Sequence, residues 1–285
     1  MDGPARPGGR GRAREGPLRH DRDTTAQGPG RGGGSVGAVK TTRLALVGLL
    51  LLGAACTTPP AATATAPSPA PPGLSTVLLL GDSIAVGEAL PLAAAFEASG
   101  VGFRSLAAEG GGNVVGPFAE EQWADLPERI ADARPSVVLY QLSTFDWGTG
   151  PEQRAAYDRL LGAVTATGAD LLFVTAPPIE PDEFYAPHTA DLARAPEVAR
   201  AVAAASPERA GVLDAGAVWG RTYQRERDGR ADRNPDGVHT CPQGAARFTS
   251  WLLGELAARF PGFTPAPATD WADAGWAADD HFAGC

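Results

Sequence analysis

Apolar positions along this chain fall into short runs separated by stretches with helical spacing. Residues 77–80, V-L-L-L, are bounded by Gly81, and so short and apolar a run reads as a strand buried on both faces. The runs 136–142, S-V-V-L-Y-Q-L, and 171–175, L-L-F-V-T, repeat that pattern, and weaker ones at 101–107 and 211–214 bring the predicted strands to five. Between them, residues 84–98, 120–133, 151–167 and 196–205 read as helices. Two of these open on proline, Pro151 and Pro196, whose fixed φ suits a first helical turn. A last helix is predicted over 244–260, with Ala245, Phe248, Leu252 and Leu256 on one face. Alternating strands and helices predict an α/β fold: a three-layer α/β/α domain over residues 74–261 with a mainly parallel, flavodoxin-like five-stranded sheet.

The same pattern excludes the first seventy residues from that domain. Residues 1–39 are glycine, arginine, proline and polar side chains, too poor in apolar surface to offset chain entropy, and are expected to be disordered or not translated, with Val36 or Val39 as the true start. Lys40 and Arg43 then precede an apolar stretch, residues 44–55, that ends at Cys56. This is a signal peptide over 40–55, too short to span a bilayer as a mature helix. Its end, L-L-G-A-A-C, is similar to a bacterial lipobox with Cys56 as the lipidated residue. Gly53 stands where that pattern prefers leucine, which leaves cleavage without lipidation open. Residues 56–73 are a Pro/Ala/Thr-rich tether that holds a domain away from its anchor. The expectation is an exported protein, anchored by Cys56 to the outer face of a bacterial cell membrane or secreted.

Charge narrows the partners. The formal net charge is −9, and removing residues 1–55 takes nine basic and four acidic residues away, leaving 15 against 29. So acidic a chain is a poor nucleic-acid binder, and its contact with a membrane is expected only through the lipid anchor. No Walker loop, zinc motif or G-x-G-x-x-G order is present, so no metal and no cofactor is expected.

Chemistry enters at two places. Gly81-Asp82-Ser83 sits between the first strand and the first helix, where open α/β sheets place their sites, although a serine there also serves as an ordinary N-cap. Asp236-Gly237-Val238-His239 puts a carboxylate three residues ahead of an imidazole on a glycine turn. The carboxylate can hold the ring from Nδ1 and leave Nε2 free for a serine hydroxyl. Each motif alone is explained as well by a solvated turn. Together, in this order, they resemble the SGNH (GDSL) hydrolase superfamily over roughly residues 75–260.

That resemblance implies a serine esterase with Ser83 as nucleophile, His239 as base and Asp236 as its orienter. It implies an oxyanion hole from the backbone of Ser83 and of a glycine after the second strand. In Glu109-Gly110-Gly111-Gly112-Asn113 the best match is Gly110, with Gly111 close behind. The superfamily's third block carries an asparagine donor after the third strand. Here the block reads Ser143-Thr144-Phe145-Asp146, and Phe145 has no donor. Asn113, Gln141 and Thr144 are the candidate replacements, or two backbone donors suffice. The ending D-G-V-H-T-C-P-Q-G-A is similar to SGNH domains of bacterial cell-envelope acyltransferases. The substrate is accordingly expected to be an acyl ester or acylated carbohydrate of envelope or exported material. Two alternatives stand beside hydrolysis: O-acyl transfer to an envelope sugar, and a catalytically weak binding module of the same fold. A monomer is expected.

The remaining features carry less. His188 and His281 lack metal-ligand spacing and read as solvated, as do the arginines from Arg221 to Arg233; Trp147 is a sugar platform or core packing. Cys241 and the final residue, Cys285, would meet an oxidising compartment after export, and a disulfide between them would pin residues 262–285, with Trp271, Trp276 and Phe282, onto the domain. The alternative is two free thiols.

Overall fold

The computed structural model describes residues 73–285. Residues 1–39, the signal expected over 40–55, Cys56 and the expected tether as far as residue 72 lie outside the described residues. Five strands, β1 Thr76–Leu80, β2 Gly102–Ser105, β3 Val137–Gln141, β4 Asp170–Val174 and β5 Ala210–Leu213, pair in parallel. Their order is β2-β1-β3-β4-β5, the flavodoxin-like arrangement. Helices α1 Ser83–Ala98, α2 Ala119–Trp123, α3 Leu126–Ala133, α4 Gly150–Thr165, α5 Thr189–Ala205, α6 Gly216–Trp219 and α7 Pro242–Arg259 connect and cover the strands.

Alternation along each strand builds two cores. Val77 and Leu79 of β1 point to the face covered by α1 and α7, where they join Leu92, Phe96, Phe248 and Leu252. Leu78 and Leu80 point the other way, to Ile130 of α3, Leu160 of α4 and Val202 of α5. This two-faced burial is why the strand runs are apolar throughout.

Two helices differ from the sequence expectation. The helix predicted over 120–133 is split in two because Pro127 has no N–H to continue the ladder from α2, while it fits the first turn of α3. The helix expected to open at Pro196 begins at Thr189 and runs through that proline. A two-stranded ribbon, β6 Glu226–Arg227 with β7 Arg230–Ala231, was not legible in so short a stretch.

The last 24 residues form short 3₁₀ turns packed on the domain, with Trp271 and Phe282 buried. Cys241 and Cys285 form a disulfide with Cα atoms 5.6 Å apart, as expected. Among the described residues no helix is long and apolar enough to cross a membrane. The connections leaving β1 and β3 head to opposite faces, so a crevice opens beyond the carboxyl ends of these two strands.

Candidate active site

Ser83 lies at the rim of that crevice as the first residue of α1, where the helix dipole presents its positive end. Asp82 fixes the turn. One of its carboxylate oxygens caps α1 by accepting from the Ile84 N–H at 3.0 Å. The other accepts from the Thr144 N–H at 2.6 Å, the Thr144 hydroxyl at 2.8 Å and the Ser143 hydroxyl at 3.1 Å. The residues after β3 thus hold the turn after β1.

His239 is brought to Ser83 by the loop between β7 and α7. Gly237 takes φ +80°, a left-handed conformation that glycine adopts without a Cβ penalty. Its N–H donates to the Asn234 carbonyl at 3.1 Å, closing the turn. The Asp236 carboxylate accepts from the Val238 N–H at 2.7 Å, from the His239 N–H at 3.0 Å and, through its second oxygen, from His239 Nδ1 at 2.6 Å. His239 Nε2 is then 2.8 Å from Ser83 Oγ. Partial burial pushes the Asp236 carboxyl up, but the His239 ring and the two backbone donors outweigh it and hold the group below the usual carboxylate range. An ionised carboxylate on Nδ1 fixes the tautomer that leaves Nε2 to accept the serine proton.

Arg233 braces this turn from beneath. It is buried rather than solvated, contrary to the expectation for the 221–233 arginines. Its guanidinium donates to the carbonyls of Pro178 at 2.6 Å, His239 at 3.3 Å and Val238. Burial lowers its pKa, and the buried Glu88 carboxyl nearby works in the opposite direction. An arginine run without periodicity gives no sequence signal for which member turns inward.

The structure places the oxyanion candidates in unequal positions. Gly110 is exposed, with open space where a side chain would be, whereas Gly112 lies directly against the Gly81 carbonyl and the Asp82 N–H, beside Ser83. It takes φ +75°, and only a residue without a Cβ fits there. Asn113 does not face Ser83 as a donor: its amide nitrogen donates to the carbonyls of Val115, at 2.7 Å, and Pro117, and so braces its own loop. Gln141 is engaged as well, donating to the buried Glu88 carboxyl at 2.5 Å. Thr144 is committed to Asp82. Among the described residues the N–H groups of Ser83 and of Gly110, Gly111, Gly112 and Asn113 have no protein acceptor, and of the three glycines Gly112 lies against the turn that presents Ser83.

Phe145 is buried edge-on against Phe118 (5.8 Å between centroids) and Phe184 (6.1 Å), and tilted against Trp147 (5.6 Å) and Tyr185 (6.1 Å). Phe118 and Phe184 are half exposed, which gives this rim an aromatic surface. Two histidines read as solvated are packed. His188 stacks on Trp147 at 3.5 Å, and His281 has its ring largely buried beside Glu109.

The sequence matches no family model and no curated protein. The chain is similar in structure to a carbohydrate esterase family 3 protein from Talaromyces cellulolyticus, at 16% identity over 67% of this chain and 100% of that one, with a TM-score of 0.49. A catalytic mutant of an acetylxylan esterase from Geobacillus stearothermophilus shares 14% identity over 65% and 96%, with a TM-score of 0.47. A salicylyl-acyltransferase from a tetracycline biosynthetic pathway shares 18% over 66% and 55%, with a TM-score of 0.45.

Proposed function

We propose that this protein is a serine esterase that cleaves carboxylic O-acyl esters through an acyl-enzyme on Ser83. The observation that carries the reading is the continuous chain Asp236–His239–Ser83, with links of 2.6 and 2.8 Å, at the carboxyl end of β1. Ser83 Oγ attacks the ester carbonyl carbon as His239 Nε2 takes its proton. The oxyanion forms at the Ser83 and Gly112 N–H groups, where backbone dipoles are already oriented. Collapse expels the alcohol, which takes the proton from His239. Water then gives a proton to His239, attacks the acyl carbonyl, and releases the acid with Ser83 restored.

The substrate reading is an acylated carbohydrate of the cell envelope or of exported material. The half-exposed rings of Phe118 and Phe184 offer apolar faces suited to a sugar ring. The room assigned to the acyl group is a cavity of about 430 Å³ that begins at Ser143 and Thr144, with Pro177, Ile179, Leu192 and Pro196 as its apolar wall and Arg200, Asp214 and Arg221 at its other side. Export and anchoring through Cys56 belong to the same proposal. Transfer to a sugar hydroxyl uses the same acyl-enzyme with a different acceptor.

Labelling with a fluorophosphonate tests nucleophile activation, and a p-nitrophenyl ester series from acetate to octanoate tests hydrolysis and chain length. Wild type is expected to label and turn over, and Ser83→Ala to do neither. A fully active Ser83→Ala variant, or a wild type that neither labels nor hydrolyses any ester, overturns the reading and favours a binding module. Acyl-sugar formation from an activated ester plus oligosaccharide identifies the transferase. Fatty-acid labelling lost in Cys56→Ala tests the anchor.

A further inference from the structure

His281, in the C-terminal tail, touches three parts of the site. Its Nδ1 is 3.1 Å from Glu109 Oε1, on the loop that carries Gly112. Its ring lies on α1 at Gly87, where a Cβ would fall 2.5 Å from Nε2. Gly87 is one helical turn beyond Ser83 and on the same face. The ring also meets that of His239 edge to face, with centroids 5.7 Å apart and planes at 90°.

Acyl transfer does not use this imidazole, since Asp236 and Ser83 occupy both nitrogens of His239. Those two bonds fix the His239 ring within its plane and leave its flank to packing, on a loop between β7 and α7 that is joined at its base by the Arg233–Thr240 bridge. His281 closes that flank. Its Nε2 is buried without a partner, so packing and Glu109 set the ring's position. Covalent geometry keeps it there: Cys285, four residues after His281, is bridged to Cys241, two residues after His239.

We infer that His281 is a positioning residue for His239, held against it by the Cys241–Cys285 disulfide. The inference rests on the esterase reading. Catalytic geometry is steep, a displacement of about 1 Å costing on the order of a hundred-fold in rate, so a partial loosening is expected to cost about ten-fold.

Three comparisons of p-nitrophenyl acetate hydrolysis and fluorophosphonate labelling test it. His281→Ala is expected to lower kcat and labelling rate about ten-fold with KM changed less than two-fold. Gly87→Ala places a Cβ where the His281 ring lies and displaces it, so it is expected to give the same kcat loss, with the stability cost of moving the packed ring offset in part by the helix preference for alanine. Cys285 is exposed, so its sulfur is open to a phosphine reductant, which converts the bridge to two thiols. Reduction is expected to lower wild-type kcat by the same factor and to leave His281→Ala unchanged.

Wild-type kcat in folded His281→Ala, or a fall on reduction as large in His281→Ala as in wild type, overturns the inference. If His281→Ala does not fold by circular dichroism, Gly87→Ala decides alone, and its retaining wild-type kcat overturns it. A wild type that neither labels nor hydrolyses defeats the esterase reading itself. An active wild type with unaffected variants defeats only the role of His281.

Discussion

The Asp82 carboxylate accepts the Thr144 N–H at 2.6 Å, so the turn that presents Ser83 is fastened to the chain leaving β3. That oxygen also takes the Ser143 and Thr144 hydroxyls, and the other caps α1, all in a buried setting. Asp82→Ala strands a buried N–H, at about 1–3 kcal/mol, and removes an N-cap, at about 1 kcal/mol. A loss of roughly 3 kcal/mol is expected in urea unfolding, with Ser83 labelling slowed in the fraction that remains folded.

Asp236→Asn tests the orienting role. The amide cannot accept from Nδ1 on the oxygen it replaces, so the other tautomer is favoured, and kcat is expected to fall on the order of 10³- to 10⁴-fold with KM little changed. Because the Asp236 pKa is depressed in the fold, its contribution to stability is present above the unfolded value of 3.8 and is lost as pH falls through the lower folded value. The variant's stability is therefore expected to converge on that of wild type only at strongly acidic pH, as followed by thermal melts.

Legibility in the sequence followed the physics of each residue. The runs of β1, β3 and β4 stood out because strands buried on both faces are apolar throughout, and the Asp236–His239 spacing was visible because one tight turn makes both contacts. Gly112 could not be told from Gly110, since three consecutive glycines differ only in which one the fold presses against Gly81. Asn113 looked like a free donor because its carbonyl partners, Val115 and Pro117, lie on its own loop and leave no pattern. Arg233 and His281 were missed for a related reason: what buries each comes from segments distant in sequence, Pro178 for one and Glu109 for the other.

Gly112 and Asn113 should now separate by assay. Gly112→Ala places a methyl into the Gly81 carbonyl at a left-handed φ, so turnover is expected to fall at least a hundred-fold through displacement of the oxyanion loop. Asn113→Ala leaves one buried and one half-buried carbonyl without their donor and is expected to cost about 2 kcal/mol in denaturant unfolding. If Asn113→Ala instead lowers kcat a hundred-fold at unchanged stability, the brace assignment is wrong.

Asp146 sets a pH dependence of stability. It is fully buried, and burial raises its carboxyl from 3.8 to about 7 against donors from Tyr140, the Ser143 N–H and Tyr157. The native state therefore holds a proton between these values that the unfolded chain releases. Stability from this group is fully present below pH 3.8 and declines until about pH 7. Three pH units correspond to on the order of 4 kcal/mol. Wild type is expected to lose about that much more than Asp146→Asn between pH 4 and 7, measured as unfolding free energy at each pH, while equal slopes would reject the buried proton.

Phe145 stands where the resembled motif has an asparagine, and from the sequence alone Phe145→Asn could raise turnover by restoring a third oxyanion donor. The structure argues the opposite. The Phe145 ring packs against Phe118, Trp147, Phe184 and Tyr185, so its removal opens a cavity and buries an amide among aromatic faces. A loss of about 4 kcal/mol is expected, comparable to other buried Phe truncations. Turnover should fall with it, because residue 145 follows directly on Thr144, the anchor of Asp82. Phe145→Leu keeps most of the volume and is expected to cost about 1 kcal/mol with kcat near wild type. Thermal melts and kcat for the two variants decide the matter. A Phe145→Asn variant that turns over faster at unchanged stability would show that two backbone N–H groups leave the oxyanion short of a donor.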